Sequence, residues 1–189
     1  MMGLKGRYIA TPSPLDESAL QQQLLERGPI DPKDYTRILA EEKAKALAES
    51  FSSIEVPTLV LGSDTIVDFR GRILEKPVDA NSAFDMLQQL SGNHHQVHTG
   101  VAIYCINASG VQLCSSFTDT ANVWFADLSE EDIQSYVKTG EPLDKAGSYG
   151  IQGIGGQFVL RMEGDFFTVM GLPMHRVSLE LAKAVSSIY

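Results

Sequence analysis

Apolar and polar positions along this chain follow two periods, and the changes between them mark most of its elements. Tyr8 to Ala10 reads as a short strand, and Thr11-Pro12-Ser13-Pro14 stops regular structure before the acidic pair Asp16-Glu17. Asp31-Pro32 supplies a cap and a first-turn proline, predicting a helix to about Ser50 that is apolar at Ile38, Leu39, Ala46 and Leu47, with Lys43 and Lys45 on different faces. Thr58 to Val67 is β-branched and mostly apolar, as in a strand buried on both faces. Arg70-Gly71 predicts a hairpin turn into Ile73-Leu74, and Asp79 caps a helix through Phe84, Leu87 and Leu90 that ends at Ser91-Gly92. Gln96 to Ile106 and Val111 to Phe125 form a long hairpin around Asn107-Ala108-Ser109-Gly110. A helix opens at Ser129, carries Ile133, Tyr136 and Val137, and closes at Gly140. Beyond a polar loop, Phe158 to Met162 and Phe166 to Met170 read as strands, and Val177, Leu181, Val185 and Ile188 stripe a last helix. Helices alternating with long paired strands predict a mixed α/β or α+β sheet domain without repeats or linkers.

At 189 residues the expectation is one domain, residues 1–189, with a core of its own. The apolar runs fall short of a membrane span, and Cys105 and Cys114, flanking the hairpin turn without a secretion signal, read as reduced thiols in the cytoplasm. A net charge of −9 disfavours nucleic acid or an anionic membrane as partner. It leaves room for a small phosphorylated ligand, which a few lysines and a divalent cation neutralise locally.

Three polar segments break the core pattern. Asp64 interrupts Leu59-Val60-Leu61-Gly62-Ser63 before Thr65-Ile66-Val67, where an ionised carboxylate is costly without a partner. Either a lysine or backbone donors satisfy it, or it serves as a metal ligand or general base. In Glu75-Lys76-Pro77 the proline biases Lys76 to an extended conformation that aims its ammonium; an exposed strand-end lysine is the plainer reading. Lys43 taken alone reads as a surface residue.

The segment from Glu141 to Gly153 is too polar for core. Asp144 and Lys145 suit a simple pair and the glycines suit turns; equally, Gln152 carries the donor and acceptor that reading a nucleobase edge requires, and the glycines let backbone N–H groups approach phosphate. Gly153-Ile154-Gly155-Gly156 leads into Phe158 to Met162 instead of a helix, which argues against a dinucleotide loop. His94 and His98 share a strand face about 13 Å apart, too far for one ion, and read with His95 as strand and turn histidines.

Leu61-Gly62-Ser63-Asp64-Thr65-Ile66-Val67, Leu74-Glu75-Lys76-Pro77, Leu90-Ser91-Gly92, Thr99-Gly100-Val101-Ala102, Gly140-Glu141-Pro142-Leu143-Asp144-Lys145-Ala146-Gly147 and Tyr149-Gly150-Ile151-Gln152-Gly153 together resemble the Maf family of nucleoside triphosphate pyrophosphatases, in order and spacing, from about residue 8 onward. The resemblance implies a Maf-like, inosine-triphosphatase-like mixed α/β fold: a central mixed sheet, flanking helices and a deep cleft. It also implies cleavage between the α and β phosphates with Mg²⁺ or Mn²⁺, and an unsurprising homodimer. It makes Asp64 the proton acceptor for water and a metal ligand, Glu17 a second acidic group at the metal, and Lys76 catalytic. Lys43 and Lys145 then line the phosphates, and Thr65 and Gln152 govern base choice in the manner of the dTTP and UTP branch.

Family members begin with an apolar strand and a Ser-x-Ser-Pro-Arg-Arg turn leading into a helix, whereas Gly3-Leu4 here resembles the far end of that helix. The expectation is therefore a chain without that strand, turn and arginine pair, whose bidentate grip on phosphate lysine does not reproduce. It is either an incomplete reading of a longer pyrophosphatase or a shortened, catalytically silent nucleotide-binding or regulatory protein.

Overall fold

The computed structural model describes residues 8–51 and 56–188, without the side chains of 187 and 188, so Gly3-Leu4 lies outside the described residues. In chain order the elements are α1 (Glu17–Glu26), α2 (Pro32–Glu49), β1 (Thr58–Phe69), β2 (Arg72–Leu74), α3 (Ala80–Leu90), β3 (His94–Asn107), β4 (Gly110–Phe125), α4 (Glu130–Lys138), β5 (Val159–Glu163), α5 (Phe166–Val169) and α6 (Met174–Ile188). Short 3-10 segments lie at Glu141–Asp144, Ala146–Ser148 and Ile154–Phe158. The strands form one five-stranded sheet in the order β2-β1-β3-β4-β5, giving the mixed α/β fold that the pattern implies. Both outer pairings are antiparallel, with Val67 opposite Leu74 and Asn122 opposite Glu163.

Local chemistry starts the helices where the sequence places them. Asp31 accepts from the Lys33 amide at 2.8 Å, Asp79 accepts from the Ser82 amide at 2.7 Å, and Ser129 and Asp132 form a reciprocal capping box. Two short helices escape the periodicity. Asp16 caps α1, its carboxylate accepting from the Ala19 amide, so the acidic pair begins a helix instead of preceding irregular chain. Phe166–Val169 is one helical turn, not a strand, because Asp165 caps it through the Phe167 amide and leaves Phe166 and Phe167 both exposed. Tyr8 to Ala10 carries no strand.

The chain divides into two compact units. One holds the described residues through Asp64, Thr99–Asp119 and the described residues from Leu172. Here Ala40, Ala44 and Ala48, a small-residue stripe on α2, pack with Val60 of β1 and Ala102, Tyr104 and Ile106 of β3. The helix sits very close to the strands. A Cβ on Gly62 would lie 2.6 Å from the carbonyl oxygen of Ala40, and one on Gly100 would lie 2.3 Å from that of Thr36. Val177 of α6 packs with Val101 and Phe117.

The other unit is Thr65–His98 with Thr120–Gly171. Leu87 and Leu90 of α3, Ile133 and Tyr136 of α4, Val67, Val97, Val123, Phe125, Tyr149 and Phe158 build its core. Among the described residues no helix is long and apolar enough to cross a membrane.

The α2 contact predicts the effect of adding one methyl. Gly62→Ala and Gly100→Ala each push a Cβ into helix backbone that cannot rotate away, as a side-chain tip would. Each is expected to cost about 1–3 kcal/mol, as overpacking does, measured as a lower urea midpoint. Unshifted midpoints in both variants would show that the helix seat is not this tight.

Candidate functional site

In the first unit β1 carries Asp64 into the interior and α2 brings Lys43 to it. Lys43 Nζ lies 2.6 Å from Asp64 Oδ1, which leaves that carboxylate only 7% exposed. The same ammonium donates to Glu17 Oε1 at 2.9 Å, and Ser13 Oγ donates to the Lys43 carbonyl at 2.9 Å. Burial is the largest influence on Lys43 and lowers its pKa, but the charge and hydrogen bond of Asp64, followed by those of Glu17, outweigh it and leave the pKa above the usual lysine value. Lys43 is thus a fixed cation, not the solvated residue its helix position alone suggests.

Two carboxylates of this unit therefore reach one positive centre. Hard carboxylate oxygens suit Mg²⁺ or Mn²⁺, and a site of one or two carboxylates completed by substrate phosphate is the usual Mg²⁺ pattern. No cluster of three or more His, Cys, Asp or Glu side chains suited to a metal occurs among the described residues. The donor set fits a cation shared with a ligand and does not fit an all-protein cage.

In the second unit the Glu141–Gly153 segment is a folded loop. Gly147 adopts φ +63°, and a Cβ there would meet Val67 Cγ2 at 2.5 Å, so only glycine fits. Its amide donates to the Glu75 carbonyl at 3.2 Å, which ties the loop to Glu75-Lys76-Pro77. Lys145 pairs with Asp144. That hydrogen bond, aided by the charges of Lys145 and Lys76, holds the Asp144 carboxyl below its ordinary pKa. Lys76 and Lys145, distant in sequence, thus act on one exposed carboxylate. The Lys145 stem runs past Gly150, where a Cβ would lie 3.3 Å from its Cε. Gln152 is exposed, and Thr65 Oγ1 faces Gly171, 3.3 Å from where a Cβ would stand.

The sequence reading missed the group that organises this loop. The Glu141 carboxylate accepts from Tyr136 Oη at 2.9 Å, the Ile154 amide at 2.9 Å and the Gly155 amide at 3.0 Å. Tyr136 Oη in turn accepts from the Gly150 amide at 3.2 Å. Desolvation is the largest influence on Glu141 and raises its pKa, yet the Gly155 and Ile154 amides, Tyr136 and Lys145 together bring it below the ordinary value. The only sequence signal was a glutamate five residues after a tyrosine and just beyond a helix end.

Of the histidines at 94, 95 and 98, His95 and His98 are buried and His94 is exposed. His98 Nδ1 lies 2.9 Å from Thr120 Oγ1. His95 Nε2 lies 2.9 Å from Tyr149 Oη, with Phe125 and Tyr149 edge-on to the ring. Tyr149 immediately precedes the glycine that meets Tyr136, so this pair backs the loop from inside the core.

A mixed α/β chain with a strand aspartate held by a helix lysine and a glycine-rich acidic loop carries the traits of one family. The Maf-like protein family matches residues 2–184, and the chain belongs to it. Its relatives include the dTTP/UTP pyrophosphatase of Geobacillus sp. (strain WCH70), 45% identical over 152 residues that cover 80% of this chain and 77% of the relative. That of Idiomarina loihiensis is 46% identical over 142 residues, 75% of this chain and 70% of its own. That of Bacillus cytotoxicus is 47% identical over 150 residues, 79% and 74% respectively.

Burial, with a smaller contribution from His94, lowers the His95 pKa to about 3, against an ordinary value of 6.5. Between these values the unfolded chain binds the proton that the folded chain refuses. The stability associated with neutral His95 is complete above about pH 6.5 and is lost as pH falls toward 3, at up to roughly 1 kcal/mol per pH unit. Urea unfolding across this range is expected to show the slope, and His95→Phe is expected to flatten it. An identical slope in the variant would assign the acid sensitivity to other groups.

Proposed function

We propose that this chain is a nucleoside triphosphate pyrophosphatase, hydrolysing the α–β phosphoanhydride of dTTP and UTP to a nucleoside monophosphate and pyrophosphate. The observation that carries the reading is the Glu17–Lys43–Asp64 triplet, two carboxylates of which one is buried, sharing one ammonium at 2.9 and 2.6 Å. The relatives named dTTP/UTP pyrophosphatase, at 45–47% identity over most of this chain, support the substrate choice.

Asp64 is the proton acceptor. Water adds to the α phosphorus, its proton passes to the Asp64 carboxylate, and the bond to the bridging oxygen breaks as pyrophosphate leaves. Lys43, hydrogen-bonded to Asp64, keeps that carboxylate anionic and oriented. Glu17 and Asp64 are the residues that would hold Mg²⁺ or Mn²⁺, which when bound supplies charge neutralisation at phosphate oxygens. Lys76 acts on charge developing in the reaction, and Lys43 and Lys145 offset phosphate charge. Gln152 reads the pyrimidine edge by complementary hydrogen bonds, with Thr65 contributing to base choice; a wrong base leaves polar groups unpaired.

Pyrophosphate release from dTTP and UTP with Mg²⁺ tests the reading. Asp64→Asn is expected to lower kcat by at least about 100-fold, the scale of a lost general base. Turnover near the wild-type rate would remove Asp64 from its role, and a wild-type chain that binds these nucleotides without hydrolysing them would make it a binding protein instead. Glu17→Gln is expected to raise the Mg²⁺ concentration needed for half-maximal rate, read from a metal titration. An unchanged titration would place the cation elsewhere.

A further inference from the structure

We infer that Glu141 is a positioning residue for base selectivity, fixing through Tyr136 and the backbone the loop that carries Gln152. The inference rests on the pyrophosphatase reading above and names a determinant of its specificity.

Gln152 is exposed and, among the described residues, has no hydrogen-bond partner of its own, so its position comes from the backbone on either side. Both sides are pinned to one device. Before it, the Gly150 amide donates to Tyr136 Oη at 3.2 Å; after it, the Ile154 and Gly155 amides donate to Glu141 at 2.9 and 3.0 Å; and Tyr136 Oη donates to the same carboxylate at 2.9 Å. The loop is moulded to these two side chains. A Cβ on Gly153 would lie 2.4 Å from Glu141 Oε1, and a Cβ on Gly155 would lie 2.5 Å from Tyr136 Oη. A glycine therefore directly follows Gln152 because the carboxylate fills the space any side chain would take. The Gly153 amide closes the turn by donating to the Gly150 carbonyl at 3.1 Å.

The chemistry of the contact explains why a carboxylate stands there. Three donors point at two oxygens, and each bond to an ionised acceptor is stronger than one between neutral groups. A glutamine keeps the size but turns one oxygen into an N–H₂ facing an amide N–H, so at least one donor loses its acceptor and the loop relaxes. Relaxation moves Gln152, while the Lys43–Asp64 and Lys43–Glu17 pairs assigned to water activation and the cation share no hydrogen bond with Glu141. Selectivity among bases should fall before turnover does.

The experiment compares kcat and KM of the full chain for dTTP, UTP and dCTP in wild type, Glu141→Gln and Tyr136→Phe, with thermal melts as a folding check. Glu141→Gln is expected to raise KM for dTTP and UTP about tenfold, keep kcat within about threefold, and lower the dTTP-over-dCTP ratio of kcat/KM about tenfold, the scale of one mispaired hydrogen bond. Tyr136→Phe, which removes the Gly150 contact, is expected to shift the ratio in the same direction and decides the matter if Glu141→Gln does not fold. An unchanged ratio, or a kcat loss equal for all three nucleotides, would overturn the inference. Wild-type chain without pyrophosphatase activity would overturn the function, a result visible before any variant is compared.

Discussion

A carboxylate placed inside an apolar strand has to be compensated, and much of the first unit follows from how Asp64 is. Its partner is a lysine 21 residues away on another element, at 2.6 Å. For that contact to form, α2 has to sit at a short distance from β1. The alanine stripe and the missing side chains at Gly62 and Gly100 provide that distance. Removing one member of such a pair leaves an uncompensated buried charge, which is why pairs of this kind are costly to break even where they add little net stability. Packing and chemistry are therefore one constraint here: the residues that let the helix settle also set where its ammonium sits.

The loop in the second unit manages its charge by other means. Glu141 is stabilised by amides and a phenol, with Lys145 a lesser influence. Backbone donors do not swing away as long side chains do, so a carboxylate ringed by them acts as a template for main chain. The ion pair of Lys43 positions a side chain; the hydrogen bonds of Glu141 position a loop.

What was legible in the sequence was what short-range rules decide. Caps at Asp31, Asp79 and Ser129 mark helix starts because the acceptor lies two or three residues from its donor. Asp64 stood out because it violates the pattern around it, and the Asp144–Lys145 pair because its partners are adjacent. Short elements were illegible: four residues of α5 carry too little periodicity to outweigh their aromatic, strand-like composition, and α1 has only Leu24 buried to define its inward face. Long-range partners were illegible as well. Nothing beside Lys43 in the chain announces Asp64, and the acceptor role of Glu141 depends on amide groups that every residue but proline possesses. The glycines at 153 and 155 read as turn residues, whereas their necessity lies in the side chains they face.

The lysines assigned to an anionic ligand differ in one respect that bears on their roles. Lys145 is one-third exposed and its partner Asp144 three-quarters exposed, a setting in which an ion pair contributes at most about 1 kcal/mol. Little is lost when that ammonium leaves its carboxylate, since the partner it leaves is already solvated. Lys43 is in the opposite position, because leaving Asp64 would break a pair whose carboxylate is only 7% exposed. An acidic chain with net charge −9 can thus present local cations in two states of readiness, one released on demand and one held in place to tune its neighbour. Under the proposed function the exposed pair is the one that exchanges with the ligand and the buried pair the one that orients the proton acceptor. Exchanging the two environments would undo both.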